Sequence, residues 1–216
     1  YQSFGIVNGL SIIGTSAETY SSASPDQLEQ AKTKLAMIIK NNFKGKVVFV
    51  IGENGLNLAK NCNLKLPILK VGNWIGPLIV DAAIKNVKTI ILFGYHGKLI
   101  KLAGGIFHTH NHLADGRIEI LVYLAVKQNV PSNIIMKLSQ LNSLEDALLV
   151  LEGFNKSVAE KLFKNLADTI EMRSFNYAQR YVKTDVEIAA IIFDRKRQIR
   201  WSGINGNNYI SHFQCE

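Results

Sequence analysis

Residues 94–117 gather three kinds of chemically useful group within 24 positions. Glycines let a backbone approach a ligand closely, lysines supply positive charge, and histidines titrate near neutral pH. The lysines are Lys98 and Lys101, and the run of histidines comprises His108, His110 and His112. Ordinary core segments do not combine these groups, so we expect a binding or catalytic site here.

A phosphate-binding loop is the first chemistry to test. Gly94 and Gly97 precede Lys98, but the Walker A motif requires G-x-x-x-x-G-K followed by a hydroxyl residue that holds magnesium. Here the glycines are three positions apart and Leu99 occupies the hydroxyl position. The spacing therefore argues against a nucleoside triphosphatase.

The alternating histidines raise the question of a metal site. An extended backbone would place all three rings on one face, with neighbours about 6.6 Å apart. Zinc–nitrogen bonds are about 2 Å long, so two of the rings could share an ion but hardly all three. The chain has neither a cysteine cluster nor an H-E-x-x-H motif. We expect no bound metal; a metal hydrolase completed by Asp115 or Glu119 remains an alternative.

The surrounding sequence alternates apolar runs with helical patterns. The runs, each followed by a glycine-containing loop, are 9–13, 46–51, 66–71 and 89–93. Continuous apolar strands separated by helices, here about 26–41 and 74–86, predict a parallel sheet covered on both faces. We expect a Rossmann-like, doubly wound, mostly parallel α/β sheet. Its strand-end loops should converge on one ligand crevice.

The second half of the chain is predominantly helical in pattern. One helix is predicted from about residue 118 and stops before Pro131, and further helices are predicted at about 132–141, 143–152 and 157–180. Strong β-formers at 186–193 and 198–202 flank a charged turn and predict a C-terminal hairpin. We interpret its Arg195-Lys196-Arg197 cluster as a solvated turn. The predicted organisation is a ligand-binding core over 1–130, with 131–216 packed on the same domain.

Composition narrows the class of protein. The chain has 216 residues, 47% of them hydrophobic, and a net charge of +8. Dispersed lysines without interleaved aromatic residues argue against nucleic acid, whereas a polyanionic small molecule would account for the charge. No apolar run reaches the ~18 residues of a membrane span. The two cysteines, 153 positions apart, suggest neither a zinc site nor a disulfide framework. We expect a cytoplasmic protein, with a homo-oligomer left open.

Strand-end residues also suggest a nucleoside cofactor. Gly14, Thr15 and Ser16 would form a tight loop after the first apolar run. Glu53 could accept hydrogen bonds from both ribose hydroxyls, and Gly72-Asn73 could approach the rest of the cofactor. These features suit S-adenosylmethionine and a dinucleotide equally.

Four sequence blocks resemble the CbiD family. Residues 94–110, followed by Ala114-Asp115, are similar to the family's GHxGKLxKLAxGxFxTHS run. Residues 9–16, 52–55 and 73–76 resemble its GLSILGTTG, GE.G and NFIG blocks. Residues 17–24 depart from the family pattern, and the family's N-terminal domain does not precede the first block. The chain therefore resembles the C-terminal portion, as a fragment or a short homologue.

The resemblance implies S-adenosylmethionine-dependent methyl transfer to carbon 1 of cobalt-precorrin-5B in anaerobic cobalamin biosynthesis. Cobalt would arrive only within the anionic tetrapyrrole substrate, whose carboxylates fit a basic crevice. The implied substrate-binding residues are Lys98, Lys101, Arg117 and His108. The implied catalytic residues, which orient the substrate or accept a proton, are His110, Thr109 and Asp115. The alternative is a non-catalytic corrinoid- or nucleoside-binding module of the same fold.

Overall fold

A computed structural model describes residues 6–7, 10–11, 25–41, 44–62, 64–111 and 113–213. Its centre is a five-stranded sheet with the order β4-β3-β5-β6-β7. The strands are β3 (Lys46–Ile51), β4 (Ile68–Lys70), β5 (Thr89–Tyr95), β6 (Glu187–Phe193) and β7 (Ile199–Ser202). All neighbouring pairs are parallel except β6 and β7, which are antiparallel. The prediction of a mostly parallel sheet is confirmed.

Eight helices are present in the described residues. They are α1 (Pro25–Lys40), α2 (Glu53–Asn61), α3 (Ile75–Ile84), α4 (His96–Ala103), α5 (Arg117–Lys127), α6 (Ser132–Ser139), α7 (Leu144–Phe154) and α8 (Lys156–Gln179). Side-chain caps begin two of them: Ser143 accepts from the Asp146 amide, and Asn155 accepts from the Ser157 amide. Such caps satisfy backbone N–H groups that the first helical turn leaves unpaired.

The two faces of the sheet carry separate apolar cores. Val47 and Phe49 belong to the larger core, which includes residues of α3, α4 and α8. Val48 and Val50 point to the opposite face and pack with residues of α2. Successive side chains of a strand alternate between faces, so a continuously apolar strand signals burial on both. This part of the sequence prediction is confirmed.

Strand order reverses at the middle of the sheet. The chain passes from β3 outward to β4 and then returns past β3 to form β5 on its other side. The carboxyl ends of β3, β4, β5 and β6 lie along one edge, which we call the carboxyl edge. In open α/β sheets, ligands bind at this edge where strand order reverses. That point lies between β3 and β5.

The prediction for the first apolar run is wrong. Leu10–Ser11 forms β2, which pairs antiparallel with β1 (Ile6–Val7) in a separate two-stranded sheet. The remainder of run 9–13 lies outside the described residues. Between the two strands the sequence is Asn8-Gly9, a dipeptide typical of two-residue hairpins. This dipeptide predicts a local hairpin, whereas the apolar run predicts a strand of the main sheet, and the structure shows the hairpin.

Other differences concern residues 53–62 and the terminal hairpin. Glu53 begins a helix, α2, where the sequence analysis places only a strand-end turn. Cys62 is buried and disulfide-bonded, which cysteine spacing did not indicate because sequence separation says nothing about spatial proximity. The hairpin is confirmed, and β6 also extends the main sheet by pairing with β5.

No helix of the described segments is long and apolar enough to cross a membrane.

Candidate ligand-binding site at the carboxyl edge

Lys98 lies at the point where strand order reverses. Gly52, which follows β3, has φ 81°, and a Cβ built on it would lie 3.7 Å from the Lys98 Nζ. Lys98 comes from the first turn of α4, which directly follows β5. Burial and the neighbouring Lys70 charge both lower the pKa of Lys98. The ends of β3 and β5 therefore present a half-buried cation beside a backbone that carries no side chain.

Glu53 adds an accessible carboxylate to the same place. It occupies the first residue of α2 and forms an ion pair with Lys70, the last residue of β4. The Glu53 side chain is 65% exposed, so solvent or a ligand can reach its oxygens. The structure thus brings Glu53 and Lys98 to one edge, as the sequence analysis predicts.

Asn73 and Thr109 are locked together beside the end of β4. The Thr109 hydroxyl donates to Asn73 Oδ1 at 3.1 Å, and the Thr109 amide donates to the Asn73 carbonyl at 3.1 Å. Both residues are buried. Because these bonds span 36 positions, they fix the loop after α4 against the start of α3. The Thr109 hydroxyl is consequently held in a defined position.

Lys101 holds this loop from inside. Its side chain is fully buried, and its ammonium donates to the carbonyls of Thr109 and Ala114 and to Asn111 Oδ1, at 3.2, 2.7 and 2.7 Å. An ammonium has three N–H donors, and these three acceptors match them. Helical spacing predicts that Lys98 and Lys101 project side by side; the structure instead turns Lys101 into the protein.

The described histidines of the run pack against aromatic rings and each other. The His108 ring meets Trp74 edge-on at 4.5 Å and lies 6.4 Å from the His110 ring. Burial, followed by the charge of His110, lowers the pKa of His108. His112 lies outside the described residues. Among the residues that are described, no group of three or more His, Cys, Asp or Glu could hold a metal ion.

Asp115 and Arg117 are paired with each other. The Arg117 guanidinium donates to both Asp115 oxygens, at 2.6 and 2.7 Å, and this pairing lowers the pKa of Asp115.

Two further predicted cofactor-binding positions are Gly72 and the loop of residues 14–16. Gly72 lies two residues after the end of β4, and its φ of 58° is a backbone conformation that favours glycine. The predicted loop of Gly14, Thr15 and Ser16 lies outside the described residues.

Tyr95, His96 and Glu145 form a polar cluster that the sequence did not lead us to expect. His96 Nε2 lies 3.1 Å from Glu145 Oε2, and the Tyr95 hydroxyl donates to the same oxygen at 3.5 Å. Burial lowers the pKa of His96 to about 4 and raises that of Tyr95 to about 12. A polar pair directly after a buried strand was the available signal, but its partner comes from α7, 49 positions away.

Comparison with known proteins now decides the family. Residues 108–203 match the CbiD C-terminal domain. Three relatives from Prochlorococcus marinus, strains MIT 9312, MIT 9215 and NATL1A, are 80%, 77% and 49% identical to this chain. The alignments cover 99%, 99% and 97% of this chain, and 58%, 58% and 56% of the relatives. The chain belongs to the CbiD family.

Each of these CbiD relatives is named cobalt-precorrin-5B C(1)-methyltransferase. The chain spans a little under three fifths of their length, 58% for the strain MIT 9312 protein. No solved structure matches this CbiD chain significantly.

Proposed function

We propose that this chain supplies the cofactor- and substrate-binding part of an S-adenosylmethionine-dependent methyltransferase that acts on carbon 1 of cobalt-precorrin-5B. One observation carries the proposal: 80% identity, over 99% of the chain, to a protein named for that reaction. The geometry of the carboxyl edge supports it. The part of the relatives that this chain does not span would complete the substrate pocket.

We infer that the sheet is of the Rossmann-like, doubly wound type. Two features support this inference. Strand order reverses between β3 and β5, and the helices α2 and α3, which follow β3 and β4, contribute to cores on opposite faces. A doubly wound sheet places helices in this way and binds nucleosides at the reversal.

The residues at the reversal fit S-adenosylmethionine. Gly52 and Gly72 have positive φ values and present no side chain, so a nucleoside can approach their backbone. The exposed carboxylate of Glu53 can accept two hydrogen bonds from ribose hydroxyls. Asn73 would contribute beside Gly72, and a contribution from Gly14, Thr15 and Ser16, outside the described residues, stays a prediction from the sequence. When bound, the cofactor supplies a methyl group already activated for transfer.

The substrate would lie against the basic side of the same edge. Lys98 would bind a peripheral carboxylate, and partial burial strengthens such an ion pair because water competes less. Arg117 can bind a second carboxylate while Asp115 orients its guanidinium, with His108 lining the loop. Lys101 acts through the loop it holds and is a positioning residue.

Catalysis would then rest mainly on alignment, since in-line geometry is the chief requirement of methyl transfer. Thr109 is fixed by Asn73 and can orient the substrate. We assign His110 to accept a proton as the new ring state forms. The tightly bonded loop keeps these groups at constant distances from Lys98.

Calorimetry with S-adenosylmethionine tests the cofactor assignment. Glu53→Gln should weaken binding by about 1.5–3 kcal/mol, the contribution of a hydrogen bond to a charged group. Asp185→Asn is the matched control, because Asp185 is an exposed carboxylate that pairs with Lys88 at the other end of the strands. An unchanged dissociation constant in folded Glu53→Gln would remove Glu53 from the site.

The same titration separates the proposed reaction from its alternatives. Wild-type protein that binds a nicotinamide dinucleotide more tightly than S-adenosylmethionine would contradict the methyltransferase assignment. Tight binding of both the methyl donor and a corrinoid, with no methyl transfer when the chain is joined to the remaining length of its relatives, would identify a binding module.

A further inference from the structure

We infer that the turn between β6 and β7 is a second substrate-binding element, in which Arg195 and Arg197 bind peripheral carboxylates of the same macrocycle that Lys98 binds. This inference rests on the proposed function. It changes the interpretation of a cluster that the sequence alone presents as a solvated turn. Three observations support it: the position of the turn, the backbone conformation of Arg197, and the charges nearby.

The turn lies at the carboxyl edge, across the end of β5. It follows β6, which pairs with β5 in register from Thr89↔Glu187 to Tyr95↔Phe193. The Arg197 guanidinium nevertheless reaches Asn54, in the first turn of α2, and donates to its Oδ1 at 3.3 Å. Asn54 follows β3, which lies on the other side of β5. The turn therefore extends from the end of β6 to the first turn of α2, which also carries Glu53.

Arg197 has a backbone conformation that arginine does not favour. Its φ is 63°, in the left-handed region where glycine or asparagine is the usual residue. The buried Asp194 holds the turn through its carbonyl, which accepts from the Arg197 amide, and its Oδ1, which accepts from the Gln198 amide, each at 3.0 Å. A glycine would satisfy the turn at lower cost. Arginine at this position points to a role for its guanidinium.

The electrostatic surroundings favour a polyanionic ligand. Burial raises the pKa of both Tyr95 and Glu145, and Arg195 lies close enough to both for its charge to offset part of each rise. Lys98 lies beside Lys70, and the Lys70 charge adds to burial in lowering the pKa of Lys98. Glu53 is the accessible carboxylate described among them. Cations gathered from α4, β4 and the turn repel one another until an anion binds.

Arginines suit this task because a guanidinium can bind a carboxylate through two parallel hydrogen bonds. Arg197 donates one N–H group to Asn54 and has five in all. It can therefore bind a ligand while it keeps its contact with α2. A macrocycle with several carboxylates could contact Lys98 and the turn at once. A ligand with a single carboxylate could not.

Binding measurements on the full chain test this inference. The probes are a cobalt corrinoid with free peripheral carboxylates and the same macrocycle with those groups converted to amides. Arg195→Gln/Arg197→Gln should bind the carboxylate form roughly tenfold more weakly, as expected for two exposed ion pairs. Binding of the amide form and of S-adenosylmethionine should not change. The loss should shrink as salt rises, because ions screen exposed charges.

Matched variants separate charge from fold. Lys44→Gln/Lys88→Gln removes the same charge near the amino ends of β3 and β5 and should leave binding unchanged. Arg197→Lys keeps the charge but not the paired hydrogen bonds, so its affinity should lie between those of the wild type and Arg197→Gly. Arg197→Gly suits the φ of 63° and should lose affinity without loss of unfolding midpoint. Wild-type affinity in Arg197→Gly and in the double arginine variant would overturn the inference.

Three further outcomes separate this inference from the proposed function. If the double arginine variant loses as much affinity for a single-stranded oligonucleotide as for the carboxylate macrocycle, the edge is a general polyanion surface. The inference would then fail. Wild-type protein that binds S-adenosylmethionine but neither macrocycle would refute the proposed substrate and this inference together. Arginine-dependent binding of the carboxylate form without binding of S-adenosylmethionine would refute the proposed cofactor alone.

Discussion

Lys101 shows how a charged residue in an apparent binding segment can be structural. It shares a helix with Lys98, three positions away, yet Lys98 reaches the carboxyl edge while Lys101 points inward. The difference arises from oxygen acceptors supplied by the following loop. Burying an ammonium is costly unless hydrogen bonds replace its water, so loop and lysine depend on each other.

At the residue scale we therefore predict that Lys101→Met destabilises the protein. Methionine retains the apolar stem, but the loop oxygens lose a charged donor, which should cost about 1.5–3 kcal/mol of unfolding free energy. Urea denaturation measures this value, with Lys98→Met as the paired comparison because Lys98 makes no hydrogen bond within the described residues. If Lys101→Met were as stable as Lys98→Met, the ammonium would not hold the loop.

At the scale of elements, α3 and the loop after α4 meet at Gly76. The Gly76 amide donates to the Phe107 carbonyl at 3.0 Å, and a Cβ on Gly76 would lie 2.7 Å from Phe107 Cβ and 2.8 Å from the Tyr177 hydroxyl. Phe107 and Tyr177 are stacked, with ring centroids 4.1 Å apart. Only a residue without a side chain at position 76 lets α3, the loop after α4 and α8, which carries Tyr177, pack together. The contact aligns Asn73 with Thr109.

We predict that Gly76→Ala lowers stability by about 1–3 kcal/mol, the usual cost of overpacking, and also weakens S-adenosylmethionine binding through Asn73. Gly153→Ala is the matched control in another helix, since an added Cβ there meets nothing within 4 Å. It should stabilise the protein by up to about 1 kcal/mol because alanine favours helices. Thermal unfolding compares the two, and equal effects would contradict the packing argument.

At the scale of the whole molecule, His96 links the sheet to the helical region. Its ring contacts Glu145 of α7, Phe163 of α8 and Trp201 of β7. The larger core likewise runs from Ala31 to Trp201, and the proposed organisation into 1–130 and 131–216 remains a prediction. Because His96 is fully buried, its protonation bears on the stability of the assembled fold.

The lowered pKa predicts loss of stability in acid. Above pH 6.5 the imidazole is neutral in both states and has no effect. Between pH 6.5 and about 4, the unfolded chain binds a proton that folded His96 does not. The free energy of unfolding should therefore fall with pH, by about 3 kcal/mol at pH 4. The raised pKa of Glu171 acts oppositely, since its stabilising protonated form is lost as pH rises above 4.5.

Comparison of wild type with His96→Gln isolates this term, because Glu171 titrates in both proteins. The wild type should lose more stability than the variant between pH 7 and pH 4. Nuclear magnetic resonance provides a second measurement that does not depend on the variant folding. A His96 ring that becomes protonated near pH 6.5 in the folded protein would contradict the prediction.

The sequence by itself determined the parts of this protein that depend on local pattern. Continuous apolar runs identify β3, β5 and β6 because both faces of those strands are buried, and helical spacing identifies α1, α3, α5 and the three helices that follow. The central block also identified the family. The order of apolar runs placed Glu53 and Lys98 after two different strands, and parallel strands bring the loops at their carboxyl ends to one edge.

Tertiary structure decided what those residues can reach. Sequence spacing puts Lys98 and Lys101 on one helix, but only the packed loop turns Lys101 inward. The β6–β7 turn is a charged loop by sequence, and the pairing of β6 with β5 brings Arg197 to Asn54, 143 positions away. The same holds for His96 with Glu145 and for disulfide-bonded Cys62. Such contacts depend on distances in space, which chain separation does not encode.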